Sequence, residues 1–198
     1  MRTLMLTFAF IFVVSAIDAQ HICTFQSYGQ EVKLEVDPPE DEEGKQIIGK
    51  ILDLTGLQAN FAILPGNVPN ASAIFYKGRR YILYNPVFIS KLTRVTRNYW
   101  SAVSVLAHEM GHHFSGHTLD GRGSEPVNEL EADEFSGFVL NKMGASLSSA
   151  QAALRVLNDK KSSATHPPRA LRLQAIERGW IAAQEMVTVP AQVNYRNR

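Results

Sequence analysis

The sequence predicts an α+β fold in which a small β-sheet precedes a helical half. Between Asn60 and Ile89, short apolar runs alternate with turn residues, whereas from Thr96 onward the apolar residues recur at helical spacing. The 198 residues suffice for one domain, and 45% hydrophobic with 20% charged residues is typical of a globular chain. Strands followed by helices in this order are characteristic of α+β domains.

The first 19 residues are predicted to be a secretory signal peptide. A basic residue precedes an apolar run over residues 4–14, and small residues follow, so that cleavage after Ala16 or after Ala19 fits the pattern. The run is shorter than the roughly 20 residues that a membrane-spanning helix needs. We therefore expect an exported protein, periplasmic, envelope-associated or secreted, whose single mature domain covers residues 20–198.

Charge and cysteine content exclude several classes of protein. Twenty Lys and Arg against 19 Asp and Glu leave a net charge of +1, which gives no reason to expect a nucleic-acid partner. The one cysteine, Cys23, excludes an internal disulfide framework and a cysteine-based zinc ribbon. Ile22 before it is not the small residue that lipid attachment prefers, although lipidation stays open. Because the chain has only one cysteine, any bound metal must be held by histidines and carboxylates.

The first half of the mature chain is expected to form a short helix and a few strands. The segment His21–Val36 alternates weakly and predicts a short strand or an arm. The acidic run Glu40–Glu43 opens a helix that Gly56 is expected to end. Phe61–Leu64 is expected to be a strand. A hairpin of two further strands follows, over Ala71–Tyr76 and Arg80–Tyr84.

The second half predicts four helices, of which the last three are delimited by a proline, a serine cap or a glycine. They are expected at Trp100–His113, at Pro126–Met143 before Gly144, at Leu147–Leu157 after Ser146, and at Pro168–Arg178 before Gly179.

The helix predicted from Trp100 carries the spacing His-Glu-x-x-His at His108, Glu109 and His112. Residues four apart on a helix differ by only about 40° in azimuth, so both imidazoles can face one Zn²⁺. Glu109 lies one position along, where a general base can reach the water that such a zinc ion activates. The alternative is a pair of hydrogen-bonded histidines in the core.

The next helix offers the third ligand that a catalytic zinc site needs. Glu129 and Asp133 are four residues apart and share a face, whereas Glu131 points to the other side. If Glu129 binds the ion, Asp133 can accept the free ring N–H of a ligand histidine. The alternative is a solvated acidic helix start. His113 and His117 lie off the ligand face and are interpreted as exposed or locally bonded.

These motifs together resemble the HtpX-like and CAAX-prenyl-protease-like zinc metallopeptidases, over roughly Pro69 to Trp180. The resemblance implies a zincin-like domain with His108, His112 and Glu129 as metal ligands and Glu109 as general base. It also implies that Asp133 supports the ligands.

A His-Pro-x-x-x-x-Arg segment extends the resemblance at His166 and Arg172. By analogy, His166 takes part in catalysis by holding the substrate or the oxyanion, and Arg172 lies close by. The segment Asn70–Ala73 resembles the family strand that borders the cleft. We expect a polypeptide substrate to pair with an edge strand over Ala71–Tyr76. The chain lacks the membrane helices of the family's integral-membrane members.

The sequence thus predicts a zinc-dependent endopeptidase that acts on exported or misfolded envelope proteins. Zinc activates the attacking water, and Glu109 takes its proton and returns it to the leaving amine. The alternative is a binding or chaperone module of the cell envelope with a metallopeptidase shape and weak catalysis.

Overall fold

The computed structural model describes residues 22–24, 42–119, 125–157 and 166–188. These residues form a four-stranded sheet and seven helices, so the α+β prediction is confirmed. The strands are β1 (Ile22–Thr24), β2 (Ala62–Pro65), β3 (Ala71–Tyr76) and β4 (Arg79–Tyr84). The helices are α1 (Glu43–Thr55), α2 (Pro86–Thr96), α3 (Trp100–Phe114), α4 (Pro126–Lys142), α5 (Leu147–Ala150), α6 (Ala152–Val156) and α7 (Arg169–Thr188).

The predicted signal peptide, residues 1–19, lies outside the described residues. Within the described ranges, no helix combines the length and the apolar character that crossing a membrane requires.

Helix α1 follows the sequence expectation closely. Its buried face is built by Ile47, Ile48 and Ile51, which recur at helical spacing. Gly56 ends the helix in the left-handed region, with φ 67°, and donates its N–H to the carbonyl of Leu52. The apolar face of α1 joins the core that the sheet and α3 share.

The sheet has the order β1-β3-β4-β2. β3 and β4 form the predicted antiparallel hairpin, which turns at Lys77 and Gly78 with φ 47° and 75°. β2 pairs with β4 in parallel, from Ala62 opposite Tyr81 to Pro65 opposite Tyr84. The pair β3–β4 therefore forms the middle of the sheet.

The prediction that Ala71–Tyr76 is an edge strand of the sheet is wrong. β1 pairs antiparallel with β3 and places Cys23 opposite Ala73, so the chain's own N-terminal strand covers the centre of that edge. An uncovered sheet edge offers unpaired main-chain groups to an extended segment, and a segment of the same chain pairs with them at a lower entropy cost than a separate chain does.

Helix α2 begins inside the region between Asn60 and Ile89, where the sequence predicts strands. α2 begins at Pro86, and the Asn85 side chain accepts hydrogen bonds from the N–H groups of Val87 at 2.9 Å and Phe88 at 3.2 Å. Asparagine at the cap followed by proline in the first turn is a strong helix start. The apolar run Val87–Ile89 is ambiguous because a short apolar run does not distinguish strand from helix.

Helix α3 is the centre of the helical half. Every residue from Ser101 to His113 is buried, because the sheet, α1, α2, α4 and α6 pack around this helix. α3 and α4 form as predicted, within a residue of their expected ends. The single helix expected over Leu147–Leu157 is instead two short ones that meet at Gln151.

The prediction that Gly179 ends the last helix is wrong, because α7 continues to Thr188. Gly179 serves a close approach between helices instead. A Cβ built on it would lie 1.8 Å from the carbonyl oxygen of Glu134, and one on Gly137 would lie 2.0 Å from that of Ile176. α4 and α7 therefore touch backbone to backbone at these two glycines, which brings the start of α7 against the α4 residues of the site.

Candidate metal centre

Helix α3 brings His108 and His112 together as predicted. Both side chains are buried, and their Nε2 atoms lie 3.1 Å apart. The ring planes stand at 82° to each other, so the two rings meet at their edges rather than stack. This spacing follows from one helical turn between residues i and i+4.

Helix α4 supplies the third residue of the cluster. Glu129 lies in its first turn and is fully buried against α3. Its Oε2 is 3.5 Å from Nε2 of His108, and its Oε1 is 3.5 Å from Nε2 of His112. The three side chains each present a ligand atom within 4.8 Å of the others, so buried His108, His112 and Glu129 can bind a metal ion. The solvated acidic helix start, which was the alternative for Glu129, is excluded by this burial.

The spacing of these atoms matches what one small ion requires. Two ligands about 2.0–2.1 Å from a tetrahedral ion lie about 3.3–3.4 Å from each other. The ring-to-ring distance is 3.1 Å, and each ring lies 3.5 Å from one of the two carboxylate oxygens of Glu129, which is close to that value. Two histidines and one glutamate are also a donor set that catalytic zinc sites use.

A buried ion pair stands behind His108. Nδ1 of His108 lies 2.9 Å from Oδ1 of Asp133, the partner that the sequence predicts. Asp133 in turn accepts hydrogen bonds from Arg172, 2.7 Å from Nε to Oδ2 and 2.9 Å from Nη2 to Oδ1. Because a carboxylate beside a guanidinium only accepts, the Nδ1 of His108 donates, and once the ring has lost its second proton its Nε2 can offer a lone pair to a metal ion.

Electrostatics in the cluster favour one positive charge. Burial alone lowers the pKa of His108, but the charge and hydrogen bond of Asp133, helped by Glu129, raise it to about 9. Burial raises the pKa of Glu129, yet the hydrogen bond and charge of His108 outweigh burial and hold that pKa well below its usual range. Burial and the charge of His108 lower the pKa of His112. The carboxylate of Glu129 thus stays anionic and faces one positive charge, which either the proton on His108 or a metal ion supplies.

Glu109 lies on α3 between the two histidines and is also buried. Its Oε2 accepts a hydrogen bond of 2.7 Å from the backbone N–H of Ala73 in strand β3. The carboxylate is therefore directed toward the sheet, at the strand that the sequence associated with the cleft. The carboxylate oxygen beside His108 is Oε2 of Glu129. The three-residue cluster therefore consists of the two histidines and Glu129, without Glu109.

The residues of the His-Pro-x-x-x-x-Arg segment reach the same cluster. Nε2 of His166 lies 3.8 Å from Oε2 of Glu129, and the His166 side chain is 12% exposed. Nη2 of Arg172 lies 3.5 Å from the same oxygen. Arg172 is completely buried and belongs to the support of the cluster, whereas His166 sits at its rim.

Two histidines that were interpreted as exposed or locally bonded are buried. His113 stacks on Phe61, with ring centroids 5.0 Å apart, and its Nε2 lies 2.9 Å from the carbonyl oxygen of Tyr81. Burial lowers its pKa to about 4, so the ring is neutral. His117 contacts His112 and Glu131. His117 and Glu131 therefore both belong to the surroundings of the candidate metal ligands. Gly116 was the local signal for His117, because a glycine after a helix returns the chain toward its last turn.

Comparison with known proteins found no matching family model, curated protein or solved structure. Any assignment of activity therefore depends on the site itself.

Proposed function

We propose that the protein is a zinc-dependent endopeptidase. The observation that carries this proposal is the convergence of buried His108, His112 and Glu129 beside a second buried glutamate, Glu109, that is not in the cluster. Three protein ligands with one position left for water, plus a separate carboxylate, is the arrangement of zinc hydrolases. It also supports membership of the HtpX-like and CAAX-prenyl-protease-like metallopeptidases.

The residues divide the chemical work among themselves. His108, His112 and Glu129 would hold the zinc ion, which when bound supplies the Lewis acidity that makes a water molecule nucleophilic near neutral pH. Glu109 takes a proton from that water as it attacks the scissile carbonyl carbon, and then gives the proton to the leaving nitrogen. His166, at the rim of the cluster, donates a hydrogen bond to the developing oxyanion.

An extended polypeptide is the substrate class that fits the sheet. The pairing of β1 with β3 supports this proposal, because it demonstrates that the main chain at Ser72–Ile74 accepts an antiparallel strand. The N–H of Ala73, at the centre of that pairing, also holds Glu109. A peptide that replaces β1 on this edge therefore runs beside the general base.

Glu109→Gln is the direct test of the proposed catalysis. Glutamine retains an oxygen that can accept from the N–H of Ala73 but cannot take up the proton, so the fold is kept while the base is lost. We expect wild type and variant to contain zinc by elemental analysis. Cleavage of an unfolded, casein-like protein should fall by about 10²–10⁴-fold in the variant.

Glu134→Gln is the matched control, since Glu134 is an exposed carboxylate of α4 that pairs with Arg178. It should cleave like wild type. Equal cleavage by the Glu109 variant would remove this residue from the mechanism. If wild type and the Glu109 variant both contain zinc and neither cleaves the substrate, the alternative is favoured, a binding module that holds a metal ion.

Export to the cell envelope is proposed from the signal-like segment at residues 1–19. N-terminal sequencing of protein recovered from the envelope fraction should begin at residue 17 or 20. Recovery in the cytoplasm with Met1 in place would contradict export.

A further inference from the structure

The end of helix α3 turns the chain back onto the metal ligands. Gly116 adopts φ 77° and donates its N–H to the carbonyl of His113 at 3.2 Å. The N–H of His117 then reaches back to the carbonyl of His112 at 3.0 Å. This pair of backbone bonds is a Schellman motif, which places the residue after the glycine against the last turn of the helix. His117 is thereby held beside His112.

The side chain of His117 links His112 to an acidic residue of α4. Its Nδ1 lies 3.0 Å from Nδ1 of His112, and its Nε2 lies 2.9 Å from Oε2 of Glu131. His117 is 5% exposed, whereas the Glu131 side chain is 55% exposed. The three residues form a chain that runs from the buried cluster to the surface.

With His117 in its neutral form, the chemistry of these groups assigns the protons as follows. A carboxylate only accepts, so Nε2 of His117 carries the hydrogen that it donates to Glu131. A neutral imidazole has one N–H, and Nδ1 of His117 is therefore an acceptor. His112 must donate from its own Nδ1, which leaves the Nε2 lone pair directed at His108 and Glu129.

We propose that His117, oriented by Glu131, is a positioning residue that fixes the Nδ1-protonated tautomer and the ring orientation of His112. The inference rests on the proposed metal site and deepens it. Both histidine ligands then have a fixed ring. Asp133 orients His108 directly, and Glu131 orients His112 through a second imidazole. Partners of this kind commonly change metal affinity about 10–100-fold when they are removed.

Three substitutions of His117 separate the hydrogen bond to His112 from simple packing. His117→Asn keeps an acceptor near the position of Nδ1, whereas His117→Gln places its amide near Nε2 and leaves His112 without its acceptor. His117→Leu removes both polar atoms at similar volume. We expect the zinc dissociation constant, measured by chelator competition, to rise about 10–100-fold in the Leu and Gln variants. The Asn variant should recover most of that loss.

The contribution of Glu131 is tested in two backgrounds. Glu131→Leu should weaken zinc binding in the wild-type chain but have no further effect when combined with His117→Leu, because the two residues act through one path. Glu134→Gln, on the same helix but outside the path, should bind zinc like wild type. Additive losses for Glu131 and His117 would contradict the proposed path.

Long-range ¹H–¹⁵N spectra of the histidine rings provide a readout that does not depend on any variant folding. In the wild-type protein, zinc-free and zinc-loaded, His112 should carry its proton on Nδ1. A proton on Nε2 in the zinc-free protein, or equal zinc affinity of wild type and folded His117→Leu, would overturn the inference. If wild type binds no zinc while His112 is protonated on Nδ1, the proposed function fails and the positioning role of His117 stands.

Discussion

Arg172 binds Asp133 through two hydrogen bonds, of 2.7 Å from Nε to Oδ2 and 2.9 Å from Nη2 to Oδ1, and both side chains are buried. The pair lies directly behind His108, whose Nδ1 is 2.9 Å from the Asp133 carboxylate. The planar guanidinium has one orientation in which it makes both bonds. It therefore fixes the carboxylate, which in turn fixes the ring of His108.

Asp133→Asn should weaken zinc binding about 10–100-fold, because the amide removes the negative charge that stabilises the ligand histidine. It also breaks one of the two bonds to Arg172, since an amide nitrogen cannot accept. Chelator competition measures the zinc dissociation constant, with Glu134→Gln as the control on the neighbouring, exposed carboxylate. Unchanged affinity in Asp133→Asn would show that the pair does not support the ligand.

Removing the metal should lower the thermal stability. A ligand present at a thousand times its dissociation constant stabilises the folded state by about 4 kcal/mol, which for a chain of this length corresponds to roughly 10 °C. We expect an excess of chelator to lower the unfolding midpoint of the zinc-loaded protein by about that amount. His112→Gln should unfold at the same temperature with and without chelator. A similar response in both proteins would contradict zinc binding at this site.

Gly137→Ala and Gly179→Ala should each destabilise the protein by about 3 kcal/mol, because a methyl group at either position meets a backbone carbonyl at 2.0 Å or less. Gly49 in α1 is the matched control, since a Cβ there has nothing within 4 Å. Gly49→Ala should be neutral or stabilising by about 0.5–1 kcal/mol, as expected for alanine in a helix. Denaturant unfolding measures all three, and equal effects would contradict the close contact of α4 and α7.

His113 should make the folded state less stable as the pH falls. Its pKa is about 4 in the fold and 6.5 ordinarily, so between these values the unfolded chain binds a proton that the folded chain does not. Its contribution is intact above pH 6.5 and declines toward pH 4, with a loss of about 2 kcal/mol between pH 7 and pH 5.

His113→Gln tests this pH dependence, because glutamine can still donate to the carbonyl of Tyr81 but does not titrate. Urea unfolding at pH 7 and pH 5, in excess chelator, should show a smaller pH effect in the variant than in wild type. The same pH effect in both would mean that His113 is not responsible.

The strand β1 should compete with substrate for the edge of β3. Cys23→Pro removes a backbone N–H opposite Ala73 and should weaken the pairing. We expect kcat/KM on an unfolded protein to rise by up to about tenfold, the factor that roughly 1.4 kcal/mol gives. Cys23→Val keeps the N–H and should behave like wild type. Equal activity of the two variants would contradict competition at this edge.

Much of the candidate metal centre was predictable because its pattern is local. His108 and His112 share a helical face through their spacing alone, and Glu129 and Asp133 do so on the next helix. These residues converge in the structure, and the expected bond from Asp133 to a ligand histidine is present.

Two further features had local signals that the hydrophobic pattern outweighed. Asn85-Pro86 is a helix start, although the apolar residues after it suggested a continuing strand. Gly116 is a C-terminal helix signal, and it directs His117 back onto His112 instead of leaving it at the surface. Both depend on backbone hydrogen bonds rather than on which face is apolar.

By itself, the sequence determined most of the strands and helices, apart from α2 and the division of α5 from α6, and the residues that can hold a metal ion. Helix periodicity and turn chemistry act over a few neighbouring positions, which is why these features can be predicted. Tertiary structure alone decided the pairing of β1 with β3, the passage of α7 through Gly179, and the contact of Arg172 with Asp133. These contacts join residues 39 or more positions apart, and their energies depend on packing that no short pattern encodes.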